Sequence, residues 1–319
     1  MQELWRKISV AIRRGEAVKL STSIEGCRTG QCGLYNQDGL LLAGEDLGMT
    51  GPGLFVDTLY PRPSLVIFGG GHVAVPVAQI ANLVDFEVIV NDDRQEYANC
   101  QRFPQAGRVL AMEHHKAFAE LELDSRHYVV IVTRGHTYDR DCLVLALATE
   151  ASYIGVIGSA KKATEMKQWL LEQGYGTADI DRIFSPIGLD IKAETPEEIA
   201  VSIMAEVIRE RSKHPASANI GAIAAAIKNK PQDETWVLMT VIQASGSTPR
   251  GAGARMLITP QGSIGSVGGG VVEKEAETKA REVMSTRTSC LMEFHLNNEI
   301  AAQEGGVCGG SMKVFVQAF

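Results

Sequence analysis

Residues 65–94 read LVIFGGGHVAVPVAQIANLVDFEVIVNDDR, and this stretch decides the fold. Leu65-Val66-Ile67-Phe68 is a short continuous apolar run, as in a strand buried on both faces. Gly69-Gly70-Gly71 follows at once, and apolar residues then recur at helical spacing through Val73, Val77, Ile80 and Leu83. A second β-branched run, Val88-Ile89-Val90, ends in Asn91-Asp92-Asp93-Arg94. Strand, glycine turn, helix, strand and acid stand in the order of a dinucleotide-binding unit. Gly69, Gly71 and Ala74 fit G-x-G-x-x-A. Gly69 serves the sharp exit from the strand, Gly71 lets a pyrophosphate approach backbone N–H groups, and Ala74 lets the helix pack closely. Asp92 lies about 20 residues beyond Gly71, where a ribose-binding acid belongs, and Arg94 beside it would tolerate a 2′-phosphate. His72 has two readings, a phosphate contact or a histidine facing solvent.

Composition narrows the class. A chain of 319 residues suggests two or three domains. Its 45% hydrophobic and 22% charged content is that of an ordinary globular protein. The net charge of −7 argues against broad electrostatic binding to nucleic acid or an anionic membrane. No apolar run is long enough for a membrane span, the first residues lack a signal-peptide core, and six widely spaced cysteines fit a reducing cytoplasm.

Working outward, the two ends of the chain echo each other. A helix over 3–14, a strand over 18–24, a hairpin over 33–42 turning at Gln37-Asp38-Gly39, and a strand over 53–59 precede the Pro61 and Pro63 linker. A helix over 220–228, a strand over 236–242, a hairpin over 255–265 and a strand over 310–319 follow the centre. The fold expected is α/β: a Rossmann-type parallel sheet over 61–214, flanked by two copies of a small α+β unit. The copy over 1–60 is degenerate and the copy over 215–319 complete.

The complete copy has three segments that the first lacks: Gly246-Ser247-Thr248-Pro249-Arg250-Gly251, Gly265-Ser266-Val267-Gly268-Gly269-Gly270 before a helix over 271–284, and Gly305-Gly306-Val307-Cys308-Gly309-Gly310. Gly268, Gly269 and Gly270 at a helix start form a second candidate anion cradle. Arg250 offers a guanidinium for phosphate or carboxylate, and Glu273 an acceptor for a heterocycle N–H. Cys308 reads either as an accessible thiol suited to sulfur handling or as a buried small apolar side chain. Cys27 and Cys32 read as incidental, and Cys100, Cys142 and Cys290 as core. In the centre, strands ending near Val132 and Ile157 bring Arg134, His136, Asp139, Gly158 and Ser159 toward the cleft of Gly71. Thr195, Pro196 and Glu198 spell a capped helix start running to Arg211. No histidine pair has metal-ligand spacing, so no metal site is expected.

These segments resemble the XdhC/CoxI family, accessory proteins of molybdenum hydroxylases such as xanthine dehydrogenase. LVIFGGGHVA, VNDDRQEYANCQRFPQA, VTRGHTYD, YIGVIGSAKK and SPIGLDIKAETPEEIAVSIMAEVI carry the resemblance in the centre. GSTPRGAGARMLI, GSVGGGVVE and GGVCGGSMKVFV carry it toward the C-terminus. The resemblance implies a cytoplasmic, commonly dimeric factor that binds the molybdenum cofactor, supports its sulfuration and hands it to an apo-hydroxylase, with a cysteine desulfurase as second partner. It places Arg250, Gly268, Gly269, Gly270, Glu273 and Cys308 on motif positions of the CoxI-type domain, and Gly69, Gly71 and Asp92 on those of the Rossmann-type domain. The order departs from the family's usual one, in which a full CoxI-type domain comes first. No catalytic role follows, so the expectation is a non-catalytic maturation factor that binds molybdopterin. The alternative is an NAD(P)-dependent oxidoreductase, with His136 as the candidate proton donor. A third reading is a scaffold that bridges partners.

Overall fold

The computed structural model describes residues 1–213, 219–248, 250–296 and 310–319, without the side chains of residues 136, 137, 270, 271, 295 and 296. The chain forms two compact units, one from Met1–Pro61 with Ser217–Phe319 and one from Arg62–Ala216. The first begins with α1 (Gln2–Arg13), β1 (Val18–Ser23), β2 (Cys32–Tyr35), β3 (Leu41–Gly44) and β4 (Leu54–Leu59). These strands make an antiparallel sheet in the order β3-β2-β1-β4.

The second unit runs β5 (Ser64–Phe68), α2 (Ala74–Leu83), β6 (Glu87–Asp92), β7 (Arg108–Ala111), α3 (His114–Leu121), β8 (His127–Ile131), α4 (His136–Leu147), β9 (Tyr153–Val156), α5 (Ala160–Glu172), α6 (Thr177–Asp181), β10 (Ile183–Phe184) and α7 (Pro196–Arg211). Its six strands are parallel in the order β10-β9-β8-β5-β6-β7. This is the Rossmann-type order, with its switch point between β5 and β8. Every residue of β5 is buried, as its unbroken apolar run requires. Helices α2 and α7 cover one face, where Val77, Ala81, Ile203 and Val207 meet Leu65 and Val90. Helices α3, α4 and α5 cover the other, where Phe118, Leu143 and Leu170 meet Val66 and Val129. Helix α7 starts as read from sequence: the Thr195 hydroxyl accepts from the Glu198 N–H and the Glu198 carboxylate accepts from the Thr195 N–H.

The chain then returns to the first unit through α8 (Ile220–Lys228), β11 (Val237–Gly246), β12 (Arg255–Thr259), β13 (Gly262–Gly265), α9 (Gly270–Thr286), β14 (Cys290–Leu296) and β15 (Gly310–Ala318). The sheet order is β13-β12-β11-β15-β14. The repeat holds in register. Leu20 faces Leu34 and Asp57 across β1, and Leu238 faces Leu257 and Gln317 across β11. The complete copy adds α9 and β14, and β14, which sequence reading missed, pairs with β15. Both copies share one core, in which Leu4, Trp5 and Ile8 meet Ile220, Ile223, Ile227 and Leu257.

Between the copies, equivalent positions touch in both directions. Arg255 on β12 pairs with Asp57 on β4 at 2.8 Å. Cys32 on β2, the position equivalent to Arg255, lies against Gln317 on β15, the position equivalent to Asp57. Cys32 is therefore a buried part of the contact between copies, and burial raises its thiol pKa. Cys142 is core, as expected. Cys100 is not: it is exposed in the irregular connection between β6 and β7, where no periodic face exists to bury it. Asp57→Ala would strand the Arg255 guanidinium, which is 3% exposed, and is expected to cost about 3 kcal/mol in urea unfolding. Adding Arg255→Met should restore most of that loss, and no restoration would remove the stranded charge as its cause.

Candidate functional site

Each unit has a glycine turn at the start of a helix. In the Rossmann-type unit the turn joins β5 to α2 at the switch point, and its three glycines have three different surroundings. Gly69 has φ +108°, and a Cβ there would meet the Val132 carbonyl. At Gly70 a Cβ would meet the Tyr97 carbonyl. At Gly71 nothing among the described residues lies within 4 Å of an added Cβ. Among the described residues no side chain caps α2. An uncapped helix start behind an open glycine attracts an anion through its N–H groups and dipole, so this turn fits a phosphate. His72 is exposed beside it.

Asp92 closes the other side of the turn. Its Oδ2 accepts from the Gly70 N–H at 2.8 Å and from Arg94 Nη2 at 3.0 Å. Its Oδ1 accepts from the Arg94 N–H at 3.0 Å and from Arg94 Nε at 2.9 Å. Four donors fill the four acceptor positions of the carboxylate, which is 2% exposed. Burial works to raise its pKa, but Arg94 and the Gly70 N–H outweigh burial and hold it below the usual carboxylate range. Arg94 also lies over the Tyr97 ring, 3.7 Å from its centroid, and Arg102 Nε donates to the Gly70 carbonyl at 2.8 Å. The acid that sequence spacing assigns to a ribose thus braces the glycine turn and offers no open acceptor.

Across the switch point, Arg134 follows β8 and is 40% exposed. It donates to Asp93 and to the Tyr138 hydroxyl, each at 2.9 Å. Asp139 is buried and accepts from the Thr133 hydroxyl at 2.5 Å, tying α4 to the end of β8. His136 is the first residue of α4, and its side chain lies outside the described residues. Ser159 caps α5 by accepting from the Lys162 N–H. The fold therefore brings Gly69, Gly71, Asp92, Arg94 and Arg134 to one end of the sheet. Arg102 and Tyr97, which sequence reading missed, belong with them; their signal was the basic and aromatic content of the segment after Asp92.

In the first unit the turn lies between β13 and α9. Gly269 has φ +72° with nothing among the described residues within 4 Å of an added Cβ, and it precedes Gly270, the first residue of α9. Gly268 has φ +158°, and its N–H donates to the Ser266 hydroxyl at 3.2 Å. The Ser266 hydroxyl donates in turn to Glu273 Oε1 at 2.5 Å. Glu273 thus braces its own turn through one oxygen, as Asp92 braces the other turn. Arg250 is exposed. Cys308 lies outside the described residues.

Two family models match the chain. One, described as the XdhC Rossmann domain, covers residues 65–207, and the other, the XdhC and CoxI family, covers residues 231–295. The chain belongs to the XdhC/CoxI family. It is 31% identical over 160 residues to a probable xanthine dehydrogenase subunit of Bacillus subtilis (strain 168), covering 50% of this chain and 46% of that protein. It is 32% identical over 97 residues to "Molybdenum cofactor insertion chaperone PaoD" of Escherichia coli (strain K12), covering 30% of each. The chain thus spans less than half the length of these curated relatives. A crystal structure of a xanthine dehydrogenase from Bacillus halodurans matches 68% of this chain and 67% of that one, with a TM-score of 0.57 and 24% identity, a likeness of fold.

The clamp on this XdhC-type Rossmann unit has a pH signature. Because the folded pKa of Asp92 is depressed, its contribution is complete above the unfolded value of about 3.9 and is lost as pH falls through the lower folded value. Asp92→Asn is expected to cost about 1.5–3 kcal/mol at neutral pH and to flatten stability against pH below about 4. An acid limb identical to wild type in chemical unfolding would show that Asp92 carries no such linkage.

Proposed function

We propose that this chain is a maturation factor for molybdenum hydroxylases of the xanthine dehydrogenase type. It binds the molybdenum cofactor, supports its sulfuration and delivers it to the apo-hydroxylase. It works in the cytoplasm as a homodimer, with a cysteine desulfurase and the hydroxylase as partners. One observation carries the reading: among the described residues, each family unit presents an open glycine turn, at Gly71 and at Gly269, to the start of a helix without a side-chain cap. Two anion cradles suit a phosphate-bearing cofactor better than a hydrolytic or acid–base site. The family membership and the name of the PaoD relative support the same role.

The residues divide the work. The N–H groups behind Gly71 and those at Gly269 and Gly270 hold phosphate oxygens, with His72 at the first turn. Exposed Arg250 supplies a fixed positive charge. Gly268 and Glu273 hold the second turn in shape through Ser266. Cys308 is the proposed sulfur contact. When bound, the molybdenum cofactor supplies the metal–dithiolene chemistry that the target enzyme uses.

The NAD(P)-dependent oxidoreductase reading needs an acid facing a ribose, and the four filled acceptors of Asp92 speak against it.

Mass spectrometry of small molecules released from the purified protein tests the proposal, together with activation of an apo-hydroxylase. Molybdopterin should be released from the wild type. Gly71→Ala has ordinary backbone geometry and open space, so it should fold normally yet carry several-fold less cofactor. Arg250→Ala should behave likewise, and Cys308→Ala should lower activation. A nicotinamide nucleotide alone, with activation unchanged in all three variants, would sink the proposal.

A further inference from the structure

The outer face of the Rossmann-type unit has a groove of about 800 Å³ that the glycine-turn site does not use. Its walls come from the loop after β6, the start of α3, one face of α4 and the end of α5. The deepest polar group in it is His114, which is only 9% exposed. A chain of hydrogen bonds fixes the state of this ring. The Asn91 amide donates to the carbonyls of Leu110 and Met112, at 3.0 and 2.9 Å. Its oxygen therefore faces His114 Nδ1 at 2.6 Å, and Nδ1 must carry the proton and donate. Nε2 is left with a lone pair, without a partner among the described residues, on a ring that lines the groove. Burial lowers the pKa of His114, which keeps the ring neutral and Nε2 an acceptor.

The other groups of the groove follow the same pattern. The Asp141 carboxylate has no partner among the described residues, and the Gln173 amide supplies one donor and one acceptor edge. Two guanidinium groups flank the groove: Arg134 is committed to Asp93 and the Tyr138 hydroxyl, and Arg140 lies over the Trp169 ring, 4.9 Å from its centroid. Glu113 is paired with Lys116 and His115. Tyr138, Trp169 and Tyr175 supply aromatic surface, with Tyr138 edge-on to His114 at 5.9 Å. Open acceptors beside aromatic surface reward a flat ligand rich in N–H donors.

We propose that this groove is a second binding site, for a planar amino-substituted nitrogen heterocycle of the pterin or aminopurine type. Its N–H donors meet His114 Nε2 and the Asp141 carboxylate, and its ring lies against the aromatic wall. The assignment is independent of the maturation role, since it rests on the groove alone.

Calorimetric titration of the full-length protein tests it with four ligands. Neopterin carries the 2-amino donor and 6-(trihydroxypropyl)lumazine has an oxo group in its place; guanosine and inosine, which has hydrogen there, test the amine for purines. Neopterin, guanosine or both should bind saturably, and at least about 10-fold more tightly than the analogue without the amine, because a buried acceptor left unpaired costs affinity. Asp141→Asn, on the exposed side of α4, and His114→Gln should each weaken binding about 10-fold or more while leaving unfolding of the protein cooperative. Preference for neopterin assigns a pterin source, and preference for guanosine a purine source. Absence of saturable binding at millimolar ligand, equal affinity for the analogues without the amine, or variants that bind like wild type would each overturn the proposal. So would binding of N-acetyl-arginine amide alone, which would give the groove to a protein side chain. Unchanged activation of an apo-hydroxylase by Asp141→Asn separates failure of this site from failure of the maturation role.

Discussion

A single carboxylate organises the ligand end of the Rossmann-type unit. Asp92 sits at the end of β6, and its lone pairs hold the Gly70 N–H on one side and three N–H groups of Arg94 on the other. The pull on Gly70 sets the exit of β5, and Arg102 secures the same residue through its carbonyl. Tyr97 then closes over Gly70 so tightly that no side chain fits there. The turn is therefore rigid at Gly69 and Gly70 and open only at Gly71. A phosphate-binding turn needs that division, because preorganised N–H groups hold an anion without the entropic cost of ordering a loop.

The other unit reaches a similar end by duplication. Two copies of a helix and an antiparallel sheet share one core, and each places the same two strand positions against the other. At one of these contacts the residues are Arg255 and Asp57, and at the other Cys32 and Gln317. The geometry is one contact used twice, while the chemistry differs, an ion pair at one and a neutral pair at the other. The first copy supplies packing. The second adds α9 and β14, and the glycine turn at Gly268–Gly270 lies where that addition begins. A turn of this kind is expected where special backbone geometry serves a ligand.

His114 shows how far the electrostatics of a site depend on residues remote in sequence. Its proton position follows from Asn91, which follows from two carbonyls at and beyond β7. No local feature of a His-His pair at a helix start reveals that one ring is buried, neutral and aimed into a groove while the next is exposed and beside Glu113.

Much of the architecture was legible in the sequence because it depends on local rules. An unbroken apolar run makes a strand buried on both faces, as β5 is, and the spacing of Thr195, Pro196 and Glu198 makes a capped helix start. The glycine spacing announced the turn before α2, and the echo between the chain ends announced the repeat, down to the hairpins. What only the tertiary structure decided concerns groups whose partners come from elsewhere. Asp92 reads as a ribose acid by spacing, yet its acceptors are filled because Arg94 folds back and Gly70 comes within reach. Cys32 reads as incidental, yet it sits at the contact between copies, and Cys100 reads as core, yet it is exposed. Periodicity fixes which face of an element is apolar. It does not say which donor will fill a lone pair, and that choice sets the chemistry of both glycine turns and of the groove.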